Sequence, residues 1–258
     1  KDDTYGVYEG KFDQVRIYKG VLEQIHVTEL YNETASDNDD LTLGGPPKSI
    51  VSANANAGFS IVKYEGTGAD MKVPHGLSAA PEMIFAKSTS DAYEWKIWHK
   101  DLSSGYQILF NTAAQASDPS VWTTTTPTST VFSIGTNVGV NQSTKSYIAY
   151  CFHSVSNYSK MGSYTGNGSA TGPVITTGFQ PDFVMIKSTS IAGAWMILDS
   201  ARSPSNPRQL LLQPQSAAIE QNVGNAIDFN ANNFQITDTN ASRNQNGATY
   251  IYMAFKIN

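Results

Sequence analysis

PEMIFAKSTS occupies residues 81–90, and the closely similar PDFVMIKSTS occupies residues 181–190. Further segments match in the same order: YEGTGA (64–69) with YTGNGS (164–169), YQILF (106–110) with RQLLL (208–212), VFSIG (131–135) with NFQIT (233–237), and SYIAYCF (146–152) with TYIYMAF (249–255). Matches in constant order at a nearly constant offset are the signature of an internal duplication. The sequence therefore predicts two copies of one structural unit.

The matched segments have the pattern of β-strands. In EMIFAK, Met83, Phe85 and Lys87 share one face, and Ile84 and Ala86 share the other. The segments SYIAYCF and TYIYMAF are apolar on both faces, as expected of strands that are covered on both sides. No stretch of either copy sustains a helical period. We therefore predict an all-β protein with two tandem antiparallel β-sandwich-like repeats, each about 100 residues long.

Composition supports the same fold class and excludes two kinds of partner. Charged residues make up 15% of the chain, against about 25% in a typical soluble protein, and Ser, Thr, Asn and Gly take their place. The net charge of −5 and the lack of a basic stripe argue against nucleic acid as a partner. No apolar run is long enough for a membrane helix, so no membrane insertion is expected. Cys151 is the only cysteine, and we expect a small buried residue there because the second copy has Ala254.

The sequence before the repeats has a different pattern. KFDQVRIYKG (11–20) predicts a strand, and VLEQIHVTELYNE (21–33) has near-helical apolar spacing. Residues 12–31 resemble the closing segment of concanavalin-A-like or laminin-G-like lectin domains, which implies that the rest of such a domain lies upstream of Lys1. The acidic run 37–40 and the Gly-Pro stretch after it are typical of a linker and do not match a calcium loop.

These patterns predict four segments along the chain. They are the lectin-like remnant at 1–34, a linker at 35–56, the first β-repeat at 57–156 and the second β-repeat at 157–258.

The duplicated part also resembles a domain of uncharacterised function that recurs in tail-fibre and virion surface proteins of marine bacteriophages. The resemblance is carried by YIAYCFHSVSNYSKMGSYTGNGSATGPVITTGF (147–179) and by PDFVMIKSTS with Trp195 downstream. It implies a β-rich, trimeric protein of the virion surface. It assigns no catalytic or binding residues to this chain.

The sequence offers few groups for catalysis. The four histidines form no metal-binding motif, and no nucleophile elbow or phosphate-binding loop is present. We therefore predict no catalytic residues, no metal and no cofactor. Paired carboxylates such as Glu82 with Glu94, or Asp91 with Asp101, leave glycosidase chemistry open as an alternative.

Residues that are identical in the two copies are expected to build the fold, because two copies need the same scaffold but not the same ligand. They include Trp95 with Trp195 and Phe152 with Phe255, which we predict as core residues rather than sugar platforms. Lys87 and Lys187 are also shared, and we expect them at strand ends with their ammonium groups in water.

Residues that differ between the copies are candidates for function. Tyr93, Trp98, His99 and Asp101 have no counterpart of like chemistry in the second copy. Aromatic rings that stack on sugars and polar groups that bind hydroxyls are typical of glycan sites. We therefore predict a glycan or receptor contact at these four residues, with a core or subunit contact as the alternative for Trp98.

These observations favour a non-enzymatic bacteriophage virion protein, a tail fibre or surface appendage that attaches to host polysaccharide and contacts other virion proteins. It is expected to fold in the host cytoplasm and to act on the virion. A polysaccharide depolymerase, a bacterial adhesin, an extracellular filament subunit and a capsid decoration protein remain alternatives. We predict a homotrimer, because a neighbouring chain can bury what the other copy leaves exposed on the two-faced strands.

Overall fold

The computed structural model describes residues 49–257. The predicted lectin-like remnant, the matched segment 12–31 and the acidic run 37–40 lie outside these residues. The first repeat contains β2 (Phe59–Glu65), β3 (Met71–Pro74), β4 (Met83–Ser88), β5 (Lys96–His99), β6 (Tyr106–Leu109), β7 (Ala116–Ser117), β8 (Val131–Ile134), α1 (Val138–Asn141) and β9 (Ser146–Phe152).

The second repeat repeats this order of elements. It contains β10 (Ser159–Thr165), β11 (Val174–Thr176), β12 (Phe183–Ser188), β13 (Met196–Asp199), β14 (Arg208–Leu211), β15 (Gln221–Asn230), β16 (Asn233–Ile236), α2 (Ala241–Asn244) and β17 (Thr249–Phe255). The central strand is the last one in each copy, because β9 lies between β2 and β4, and β17 lies between β10 and β12. The shared topology confirms the predicted all-β fold and the duplication.

Each repeat is a sandwich of two antiparallel sheets. We call the sheet that contains the last strand of the copy the large sheet and the other one the small sheet; the first repeat has seven and two strands in them, and the second has four in each. With β1 at Ser49–Asn54, the large sheets have the strand orders β1-β2-β9-β4-β5-β6-β7 and β10-β17-β12-β13, and the small sheets have the orders β3-β8 and β11-β16-β15-β14. Single helical turns close the loops before β9 and β17, and each begins at an Asn side chain that accepts a backbone N–H, Asn137 or Asn240.

One strand precedes the first repeat and has no counterpart in the second. Strand β1 (Ser49–Asn54) pairs along β2, with Ser49 opposite Tyr64 and Asn54 opposite Phe59. A single 3-10 turn, Ala55–Ala57, joins the two strands. The described part of the predicted linker, residues 49–56, is therefore part of the first large sheet. Its small residues are compatible with a linker, but the backbone of β2 offers them a strand partner.

The alternation of side chains in the large sheets creates three separate cores. Ile84 and Ala86 face the small sheet of the first repeat, where they pack with Phe132 and Ile134. The corresponding core of the second repeat contains Val184, Ile186, Tyr250, Phe234 and Ile236. Cys151 is buried in the first core, as predicted, and burial raises the pKa of its thiol to about 12.

The third core lies between the two repeats. The other faces of the large sheets meet there, so that Met83, Phe85 and Ile97 of the first repeat pack with Met185, Trp195 and Met253 of the second. Each repeat thus covers the second apolar face of the other's central strand. The described residues form one body of stacked sheets, with an apolar joint at its centre.

A short arm of the first repeat fastens this joint. This arm, residues 109–115, begins at the last residue of β6 and lies against the second repeat. The indole N–H of Trp195 donates to the carbonyl of Leu109 at 2.9 Å, and the ring of Phe110 stacks on the indole at 5.2 Å. Gly193 N–H donates to the carbonyl of Thr112 at 2.8 Å. The arm therefore satisfies the polar atom that a buried tryptophan brings into an apolar core.

Lys187 differs from the prediction for the shared lysines. Its side chain is fully buried, and its Nζ donates to the carbonyls of Ala113 and Gly193 at 2.7 and 2.6 Å. Burial lowers the pKa of this ammonium group to about 8. The prediction of a solvated strand end was wrong for Lys187, because the arm of the first repeat lies over that strand end. Lys87 is half-buried, and its Nζ donates to the carbonyl of Ser88.

We predict that the two matched tryptophans differ in their contribution to stability. Trp195→Ala removes a buried ring and leaves a cavity in the joint, so it should lower the free energy of unfolding by about 3–5 kcal/mol. Trp95→Ala, the matched control, removes a half-buried ring and should cost about half as much. Urea unfolding followed by circular dichroism measures both, and equal losses would contradict the structure.

Candidate functional site

The structure does not bring the four predicted contact residues together. Tyr93 lies before the start of β5, and Asp101 lies after its end. Trp98 and His99 are neighbours in that strand and therefore point to opposite faces of the sheet. Trp98 packs against the core of the first repeat, and His99 lies opposite Met83, whose side chain belongs to the joint. His99 and Asp101 do lie together, with Nδ1 and a carboxylate oxygen 3.8 Å apart, but Trp98 lies on the opposite face of the sheet from His99, so the four side chains do not converge on one ligand.

His99 is a buried histidine rather than a surface ligand. Its side chain is fully buried, and its Nδ1 accepts the backbone N–H of Asp101 at 3.2 Å. Its Nε2 has no hydrogen-bond partner among the described residues. Burial lowers the pKa of the imidazole to about 4, although the nearby carboxylate of Asp101 acts in the opposite direction. The ring is therefore neutral near pH 7.

The predicted core residues instead border a cleft at the joint. The cleft has a volume of about 320 Å³ and is lined by Phe85, Trp95, Phe110, Tyr150, Phe152 and Met253, among others. The indole of Trp95 stacks on Tyr150 with ring centroids 6.0 Å apart. Trp195, by contrast, lies inside the joint and is 1% exposed. The matched tryptophans thus occupy different places, one at the cleft and one in the core.

A second apolar cleft continues from the first one. It has a volume of about 370 Å³, shares Phe152 and Met253 with the first, and extends to Tyr158, Phe255 and Lys256. Tyr158 is 41% exposed, and its ring contacts the edge of Phe255 at 6.0 Å. This cleft therefore presents an accessible aromatic ring at one end of the second repeat.

A polar pocket adjoins the second cleft and shares Lys256 with it. The pocket has a volume of about 580 Å³ and is lined by Asn157, Gly178, Gln180, Asp182, Asn232 and Lys256, among others. The Asp182 carboxylate accepts the hydroxyl of Ser200 at 2.9 Å and the N–H of Ile257 at 2.8 Å. The carboxylate thus holds the chain next to Lys256 in place.

In the first repeat, β1 lies over the corresponding position. A Cβ placed on Gly76 would lie 2.7 Å from Val51 and 3.2 Å from Ala53, both in β1. The matching residue of the second repeat is Gly178, and a Cβ placed there would meet nothing within 4 Å. The pocket is thus the place where the second copy lacks the strand that the first copy has.

Sequence reasoning missed this pocket, although one signal was present. His153, which is 8% exposed in the first repeat, corresponds to the half-exposed Lys256 in the second. The comparison of the two copies selected residues 91–106 as candidates and did not include His153 and Lys256. The other pocket residues gave no signal, because an Asn or Gln in a loop carries no pattern of its own.

The described residues show neither a candidate metal site nor a membrane-spanning helix. No group of three or more His, Cys, Asp or Glu side chains within residues 49–257 is arranged to hold a metal ion. No helix in the same range is long and apolar enough to cross a membrane.

We predict that His99 makes the protein sensitive to acid. Its pKa is about 4 in the folded protein and about 6.5 in an unfolded chain, so only the unfolded chain takes up a proton between these values. Stability is therefore lost as the pH falls from 6.5 towards 4, by about 2 kcal/mol at pH 5. Urea unfolding of the wild type and of His99→Gln at pH 7.5 and 5 measures this loss. His99→Gln should lose about 2 kcal/mol less than the wild type, and equal losses would contradict the assignment.

Comparisons with known proteins identify the family but no function. No curated protein and no solved structure matches the chain. A family model described as "Domain of unknown function (DUF7483)" matches residues 31–258. The match spans both repeats and β1, which agrees with a single body joined by a shared core. The chain therefore belongs to the DUF7483 family of domains of unknown function.

Proposed function

We propose that the chain is a non-enzymatic structural protein of a bacteriophage virion, a tail fibre or surface appendage that contributes to attachment to the host surface. The observation that carries the proposal is the apolar joint, which fuses two β-sandwiches into one body. A single body of this kind suits an appendage that joins a virus particle to the host surface. The resemblance of residues 147–179 to virion surface proteins supports the same function.

The buried thiol supports the proposed location. The protein folds in the reducing cytoplasm of the host and acts outside it on the virion, so its stability cannot depend on disulfides. Cys151, the only cysteine of the chain, is buried, and its raised thiol pKa keeps it unreactive. The large apolar cores take the place of cross-links in this account.

Immunogold electron microscopy tests the proposed location. Antibodies against the 1–258 chain should label the tail or surface of particles produced by cells that carry the gene, and pre-immune serum should not. Peptides of the chain should also appear in purified particles. Unlabelled particles that lack these peptides would overturn the proposal.

We also infer a homotrimer in which the first apolar cleft contacts a neighbouring copy of the chain. The other copy covers most of the second face of the two-faced strands, through the joint. What remains is the aromatic cleft beside the joint, whose lining includes Trp95, Phe110 and Tyr150. This apolar lining is continuous with the joint, where the apolar faces of the two large sheets already pack together. A second copy of the chain carries the same apolar cleft and can therefore pack against the first.

Light scattering on the 1–258 chain tests the trimer. The wild type should have the mass of three chains, and Trp95→Glu should have the mass of one, because the added charge cannot be buried in an apolar contact. Val174→Glu is the matched control, since Val174 is 57% exposed on the small sheet of the second repeat. Tyr150→Glu repeats the test if the first variant misfolds. A monomeric wild type, or a trimer that both cleft variants preserve, would contradict the inference.

A further inference from the structure

We propose that the polar pocket of the second repeat is a binding site for a neutral saccharide. The inference deepens the proposed attachment function, because it names the class of ligand and the residues that bind it. Among the described residues, the side chains of Asn157, Asn232 and Lys256 make no hydrogen bond or ion pair within the protein. Their polar groups are therefore free to bind a ligand.

The lining of the pocket matches the chemistry of sugar hydroxyls. Asn157, Gln180 and Asn232 carry carboxamides, each with donors and an acceptor on one planar group. The amide nitrogen of Gln180 donates to the carbonyl of Phe229 at 3.0 Å, which fixes the direction of that side chain. A sugar hydroxyl both donates and accepts hydrogen bonds, so carboxamides satisfy it without a charge.

The charges at the pocket favour a neutral ligand over an anion. Lys256 and Asp182 are the charged residues of the lining, one of each sign, and the Asp182 carboxylate also interacts electrostatically with Arg208, which lies outside the lining. A phosphate or sulfate site would instead need several cationic or backbone N–H donors around one point. The structure shows no arginine among the lining residues of the pocket.

The aromatic ring of Tyr158 completes the site. It follows Asn157 directly, is 41% exposed, and lies in the cleft that shares Lys256 with the pocket. Its contact with Phe255 supports the ring from one side. An exposed, supported ring beside a group of carboxamides can stack on the C–H face of a sugar while the amides bind its hydroxyls.

The comparison of the repeats explains why only the second one has this site. In the first repeat, Val51 and Ala53 of β1 lie over Gly76, and Thr130 stands where the second repeat has Asn232. The second repeat has the same scaffold, but among the described residues no strand lies over Gly178. This asymmetry supplies a matched internal control, because an equivalent change in the first repeat should leave binding intact.

Saturation-transfer difference NMR on the full 1–258 chain tests the site. The probes are neutral oligosaccharides of glucose, galactose, mannose and N-acetylglucosamine, with glucuronate- and sialate-containing oligosaccharides as the acidic set. At least one neutral probe should show saturation transfer. In a titration of that probe, Asn232→Ala and Tyr158→Ala should each weaken binding at least tenfold, and Thr130→Ala should change it less than twofold.

Several outcomes would overturn the inference. They are no transfer to any neutral probe, transfer to the acidic set alone, or neutral binding that Asn232→Ala and Tyr158→Ala both preserve. The result is independent of immunogold labelling. A chain that binds neutral saccharide through Asn232 but is absent from particles would retain the site and refute the virion proposal.

Discussion

The apolar contact between the two large sheets holds the two repeats together. The central strands β9 and β17 are apolar on both faces, and each can pack its own small sheet against only one of them. Separation of the repeats would expose Met83, Phe85, Met185 and Met253 to water together. The two sandwiches are therefore stabilised by packing against each other and are not independent of one another.

The joint also explains where the two copies differ. Identical residues were placed in different environments once the copies had packed against each other: Trp195 lies in the joint under the arm of the first repeat, and Trp95 borders the cleft. Lys187 lies under the arm and Lys87 does not. A buried ammonium group is tolerated here because two backbone carbonyls accept its protons. Structural roles thus diverged between positions that the sequence still shares.

The sequence predicts the parts of this fold that depend on local pattern. Alternation in EMIFAK assigned Ile84 and Ala86 to one face and Met83 and Phe85 to the other, and the structure places them in two different cores. The position of Cys151 followed from comparison of the copies. The burial of Lys187 and the neutral state of His99 could not be predicted, because both depend on segments distant in sequence that pack over them. The polar pocket depends on a strand that one copy lacks, and no residue pattern within that copy reports this absence.

The joint makes the two repeats one cooperative unit. Hydrogen–deuterium exchange on the 1–258 chain, followed by peptide mass spectrometry, measures whether the two repeats open together. Strands β4 and β9 of the first repeat and β12 and β17 of the second should open with the same free energy, as parts of one cooperative unit do. Trp195→Ala should lower protection in both repeats equally. Loss of protection in the second repeat alone, with β4 and β9 unchanged, would contradict it.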